Sequence, residues 1–192
     1  MSTFDPAAYG PVFQPLLEID RCRALGPGQA NSAARKSLQQ ATLATAFGNA
    51  ELADLDMARC CLSAVWLLHD FLDQSHGISQ QIETPEGSYW HGVMHRREGD
   101  FSNAKYWFRH VGRHEVFDEL GPHVASAAAP QDATVAERIA PRGAFDPYAL
   151  VDACQAALRT GDDAFCRRVQ QLEWELLFDH CYRSALGRRA AG

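Results

Sequence analysis

The chain has 192 residues, 46% of them hydrophobic and 22% charged, with 24 Asp and Glu against 18 Lys and Arg for a net charge of −6. That length supports one sizeable core and the composition is ordinary for a single globular domain. The negative balance argues against nucleic acid or an anionic membrane as the main partner of the surface, and no run of apolar residues is long enough to span a bilayer.

At the N-terminus, acids and prolines stand where a secretory leader needs a basic start and a continuous apolar run, so no leader is expected. Residues 1–14, rich in Pro, Gly and aromatics, are expected to form an irregular arm over the body. Pro15 starts a short helix that Gly26-Pro27-Gly28 ends. From Asn31, a run with Ala34, Leu38, Ala41 and Thr45 on one side reaches Gly48-Asn49, and Asn49 can cap the next helix. In that helix Leu55, Leu62, Val65, His69, Leu72 and His76 share one face, and the pattern predicts a single element running to about Gly77.

A helical hairpin follows. Thr84-Pro85-Glu86 reads as N-cap, first helical position and first-turn acid, and Gly99 as the left-handed terminator after Glu98. Ser102 is the expected cap of the second member, whose buried stripe is Ala104, Trp107, Phe108 and Val111 up to Gly112. Residues 118–145, punctuated by Gly121-Pro122 and Pro141-Arg142-Gly143, read as an irregular connector with at most a short helical piece at 132–139. Asp146 and Pro147 then open a helix, with Phe145 and Leu150 as its hydrophobic staple, that ends at Gly161. The last helix, from about 163 to 186, repeats Phe165, Val169, Leu172 and Leu176 on one face and stops at Gly187 before a frayed basic tail. No stretch sustains strand alternation. The expectation is one all-α domain over residues 1–192, with about seven helices in a compact bundle. Six cysteines, Cys22, Cys60, Cys61, Cys154, Cys166 and Cys181, form no C-x-x-C pair and read as reduced thiols of a cytoplasmic protein.

The densest chemistry lies in residues 89–114, which hold four His, two Trp and two Tyr, and where Arg96, Arg97, Lys105, Arg109 and Arg113 outnumber Glu98 and Asp100. Side chains at i, i+4 and i+7 of a helix fall within about 60° of one another. His69, Asp73 and His76 have that spacing, as do His91, His95 and Glu98. Imidazole and carboxylate gathered from adjacent helices suit zinc, iron or manganese, and three such ligands with an open position could activate water. The alternative is a buried polar network, with His69 on its apolar stripe paired to Asp73. A second constellation, Trp90, His91, Arg96, Arg97, Tyr106, Arg109 and His110, could hold a small acidic ligand or peptide through guanidinium forks. Its counterpart is that the tryptophans are core and Arg97 pairs with an acid.

Other signatures fail. His114-Glu115-Val116-Phe117-Asp118 ends in Asp where H-E-x-x-H needs His, and no Walker loop, G-x-S-x-G or G-x-G-x-x-G occurs. Two functional readings therefore stand: a helical binding or scaffold protein, and an enzyme in which His69, Asp73, His76, His91 and His95 converge as metal ligands or acid/base groups. A regulatory subunit, or an oligomer such as a homodimer with a purely structural role, is a third.

The segment REGDFSNAKYWF, residues 97–108, is similar to the turn and second helix of a tetratricopeptide repeat, with its Gly-Asp-aromatic-x-x-Ala-x-x-aromatic-aromatic pattern. The longer string YWHGVMHRRE at 89–98, with NAKYWFR at 103–109, resembles a set of uncharacterised bacterial and fungal helical proteins. The resemblance implies a helical hairpin at this position and carries over no catalytic residue.

Overall fold

The computed structural model describes residues 4–188. Among them are eleven α-helices and no strand: α1 (Gly10–Leu17), α2 (Arg35–Gln40), α3 (Leu43–Phe47), α4 (Leu55–Leu68), α5 (Leu72–Ser79), α6 (Pro85–Glu98), α7 (Phe101–Val111), α8 (Glu115–Ala127), α9 (Ala133–Ile139), α10 (Pro147–Thr160) and α11 (Ala164–Ala185). The class is all-α as expected, but eleven helices replace about seven. The basic tail lies beyond the described residues except for its first member, Arg188.

The extra helices come from breaks and continuations that local sequence does not announce. The element expected to run to Gly77 divides at Asp70, whose φ of 62° is left-handed, giving α4 and α5 at an angle. The run after Asn31 splits into a 3-10 turn, α2 and α3, with Thr42 and Thr45 forming a capping box for the last. The supposed connector at 118–145 carries most of α8 and all of α9. In α8, Val116, Phe117, Leu120, Gly121 and Val124 are buried on one face, so packing overrides Pro122 inside the helix. Gly121 is required there, because any Cβ would collide with the Gly143 carbonyl. The arm also gains order, with a 3-10 turn at Pro6–Tyr9 running into α1.

α6 and α10, capped by local chemistry, start and stop as the sequence says, whereas the helix expected to start at Pro15 and end at Gly26 begins at Gly10, holds Pro15 inside it and ends at Leu17. The Thr84 hydroxyl accepts from Gly87 N–H, and Gly99 ends α6 with φ 91°. Asp146 caps α10 through Tyr148 and Ala149 N–H. Asp100, rather than Ser102, caps α7 by accepting from Asn103 N–H, and Ser102 Oγ donates to that carboxylate.

α6 holds a central position, packing against α4, α5 and α7, while α11 packs on α4 and α8. Trp90 and Tyr89 of α6 are fully buried, Trp90 edge-on to Trp174 of α11 and Tyr89 edge-on to Phe108 of α7. α6 and α7 approach closely at Gly92, where an added Cβ would lie 3.2 Å from the Phe108 ring. This hairpin, with α5 against its other side, positions the chemistry described next.

Candidate metal centre

His91 and His95 are four residues apart on α6 and so project from one side, with ring centroids 4.7 Å apart. His76 arrives from α5, its ring edge-on to His91 at 4.7 Å and to His95 at 5.4 Å. One ring nitrogen from each lies within 4.8 Å of the others. A tetrahedral ion with bonds of about 2.1 Å separates its nitrogen ligands by about 3.4 Å, so closure needs inward movements of about 1 Å. His76, partly exposed, has room to make them.

The ring nitrogens of His91 and His95 differ in how free they are for a ligand. His91 is 2% exposed and its Nδ1 is buried without a hydrogen-bond partner, a cost that a ligand would remove. Trp107 of α7 stacks on the same ring at 4.0 Å and 19°, covering its outer face. His95 Nδ1 lies 3.0 Å from Glu98 Oε2, and its Nε2 lies 3.1 Å from Asn103 Nδ2. A carboxylate only accepts, so Nδ1 carries the proton and Nε2 accepts from the Asn103 amide, which has to turn aside before Nε2 can ligate an ion. That is the tautomer used when a carboxylate orients a metal-binding histidine. Burial first, then the His95 and His76 rings, pushes His91 down to about 3. His95 is also lowered by burial, against the opposing pull of Glu98. Both rings are therefore neutral near pH 7, the form that binds a metal.

The remaining candidates divide cleanly. The break at Asp70 turns His69 away from His76: its Nε2–H donates to Leu16 O at 2.9 Å, and its Nδ1 accepts from Asn31 Nδ2 at 3.0 Å. Both nitrogens are used, so His69 is a satisfied core histidine and its expected partner Asp73 stands exposed in the first turn of α5. Neither joins His91 and His95. Glu98 is an orienting group, half exposed, rather than a member of the converging set.

The guanidinium pocket is not assembled. Arg96 is fully buried and paired with Glu173, itself fully buried. Arg97 pairs with buried Asp70 and donates through Nε to Gly26 O. Trp90 is core, with Nε1 3.4 Å from Cys181 Sγ. These three have no face left for a ligand, and only Tyr106, Arg109 and His110 remain outward on α7, with the Arg109 guanidinium 5.8 Å over the Tyr106 ring.

Asn103 and the stacking of Trp107 on His91 were not expected from the sequence. Nor was a second convergence, Glu86 with His114 and His180, whose members come from α6, the cap of α8 and α11. A helical wheel could have found Asn103, one turn before Trp107, but no spacing rule links three distant segments. Among the described residues no helix is long and apolar enough to cross a membrane. No family model, curated protein or solved structure matches the chain.

Proposed function

We propose that this chain binds a divalent transition ion through His76, His91 and His95, with Glu98 orienting His95 and Trp107 walling the centre. The supporting observation is the approach of one ring nitrogen each from three imidazoles on two helices, beside which the His91 ring also carries a buried, unpartnered Nδ1. An all-nitrogen set favours zinc or iron over manganese, which prefers carboxylate oxygens.

Three protein ligands leave a fourth position for water or for an acidic group. A small acidic ligand thus stays part of the proposal, but its anchor is the ion and not the buried guanidinium groups. Bound water in that position extends the function to metal-assisted hydrolysis. The tetratricopeptide-like hairpin enters as scaffold: the tight Gly99 turn and the close approach at Gly92 hold Trp107 over His91. A reducing, cytoplasmic setting fits the six free thiols, which form no disulfide.

The test is metal content. Purified protein, stripped with chelator and dialysed against zinc, is expected to retain about one equivalent, and His91→Ala none while keeping its helical circular dichroism. Wild type that stays metal-free, or His91→Ala that binds as well as wild type, overturns the assignment.

A further inference from the structure

At the opposite end of α6 from the triad, Glu86 faces two histidines from other elements. Its Oε1 lies 3.3 Å from His180 Nε2 and 3.5 Å from His114 Nε2. His180 Nδ1 lies 2.6 Å from Glu115 Oε1, and the two imidazoles are edge-on with centroids 5.0 Å apart. The cluster stands beside a cavity of about 610 Å³ between α8 and α11, lined among others by Glu115, Glu119, Asp179, His180 and Arg183.

Separations of 3.3 and 3.5 Å would suit a tetrahedral ion, but the protons decide otherwise. His114 is the N-cap of α8, and its Nδ1 accepts from Val116 N–H at 3.2 Å. Its ring proton is therefore on Nε2, the atom that a metal would need bare. His180 has a carboxylate at each ring nitrogen, which suits the doubly protonated imidazolium. The row Glu115, His180, Glu86, His114 is built to hold protons.

We propose that Glu86, His114 and His180 form a proton-controlled latch that ties the start of α8 to α11 and, when His180 loses its proton, lets the cavity between them open. Losing that proton deprives Glu115 or Glu86 of a donor, so the seam between α8 and α11 keeps one charge-assisted contact where it had two; if the loss is at Glu86, 12% exposed, that carboxylate is left with His114 alone. The other charged or titratable groups around the cluster are Glu119 of α8, Asp179, Cys181 and Arg183 of α11 with Arg188 just past its end, and Cys60 of α4 beside Cys181 and Glu86. Asp179 and Arg183 already pair at 2.7 Å, and the Tyr89 ring of α6 packs edge-on against His114.

The direction of the pH effect follows from both partners. Burial works against the His180 charge, but the hydrogen bond to Glu86 and the negative groups nearby outweigh it and raise its pKa above the ordinary 6.5. Burial likewise opposes the Glu86 charge, and the His114 ring N–H 3.5 Å away together with the hydrogen bond from His180 outweighs it, holding that carboxyl well below its ordinary 4.5. His180 therefore stabilises the fold fully below 6.5 and loses that contribution as pH rises through its higher folded value. Glu86 contributes fully above 4.5, so the latch is tightest between 4.5 and 6.5 and opens on the alkaline side.

Hydrogen–deuterium exchange of the full chain at pH 6 and pH 8.5, corrected for intrinsic rates, reads the seam. Protection of the first turns of α8 is expected to fall at the higher pH by about tenfold for each unit by which folding raises the His180 pKa. His180→Asn should abolish that difference. Glu115→Gln, altered only at an exposed side chain, should reduce it without threatening the fold. Equal wild-type protection at both values, or an unchanged pH difference in both variants, overturns the latch. So does a zinc equivalent retained by His91→Ala and lost on adding Glu86→Gln, which would make this cluster a metal site. None of these readouts depends on whether the triad binds metal.

Discussion

Arg96 and Glu173 meet with no exposed surface on either side chain, and Arg96 Nε is left without a partner. Two charges taken out of water recover their desolvation only through each other, so removing one leaves the other stranded at about 3–5 kcal/mol, while removing both is close to neutral. Arg96→Met is therefore expected to lower the unfolding free energy by about 3–5 kcal/mol, and Arg96→Met with Glu173→Leu to recover most of it. Urea unfolding measures both, and a single variant within about 1 kcal/mol of wild type would show that the charge is not stranded. The same pairing explains why a cluster of basic residues suggested a ligand pocket. A local charge count does not report that Arg96 finds its acid 77 residues away, or Arg97 its acid 27 residues back.

Whether His76 reaches the triad is decided where α4 gives way to α5. Asp70 sits in the left-handed region and its buried carboxylate accepts from both Arg97 and Arg23, so the turn is held by side chains remote in sequence. No glycine or proline marks that break, and the apolar face runs through it, which is why His69 and His76 read as one helix face. Elements closed by their own caps, α6 between Thr84 and Gly99 and α10 between Asp146 and Gly161, were legible from end to end. His91 and His95, one turn apart on α6, were legible for the same reason; their third partner, His76, was among the candidates, but helix spacing also tied it to His69 and Asp73, which the structure sets apart. Asp70→Asn keeps a side chain that tolerates the left-handed turn and removes the charge that holds it. If the turn sets the position of His76, zinc affinity should drop roughly tenfold or more, as for other groups that orient a ligand. A titration with a zinc indicator checks this, and unchanged affinity would separate the turn from the site.

At the scale of the whole molecule, an ion held by His76, His91 and His95 would join α5 to α6 beneath Trp107 of α7, and these contacts exist only in the folded chain. Binding to the native state alone stabilises it by RT ln(1 + [L]/Kd), about 2.7 kcal/mol at a free concentration of 100 Kd. For a chain of 192 residues this corresponds to a rise in Tm of about 5–11 °C. Thiols are the main competitors, since unfolded cysteines bind zinc and reduce the gain. In the native state, however, five of the six are buried and Cys22 is partly so, and burial raises the Cys61 thiol well above its ordinary range. Differential scanning fluorimetry with zinc and then with chelator should therefore show a reversible rise for wild type and none for His91→Ala. His69→Gln, with its bonds to Leu16 and Asn31 disturbed, should begin from a lower Tm and rise by the same amount as wild type. An equal zinc response in His91→Ala would mean that the ion stabilises the fold from somewhere other than the three imidazoles.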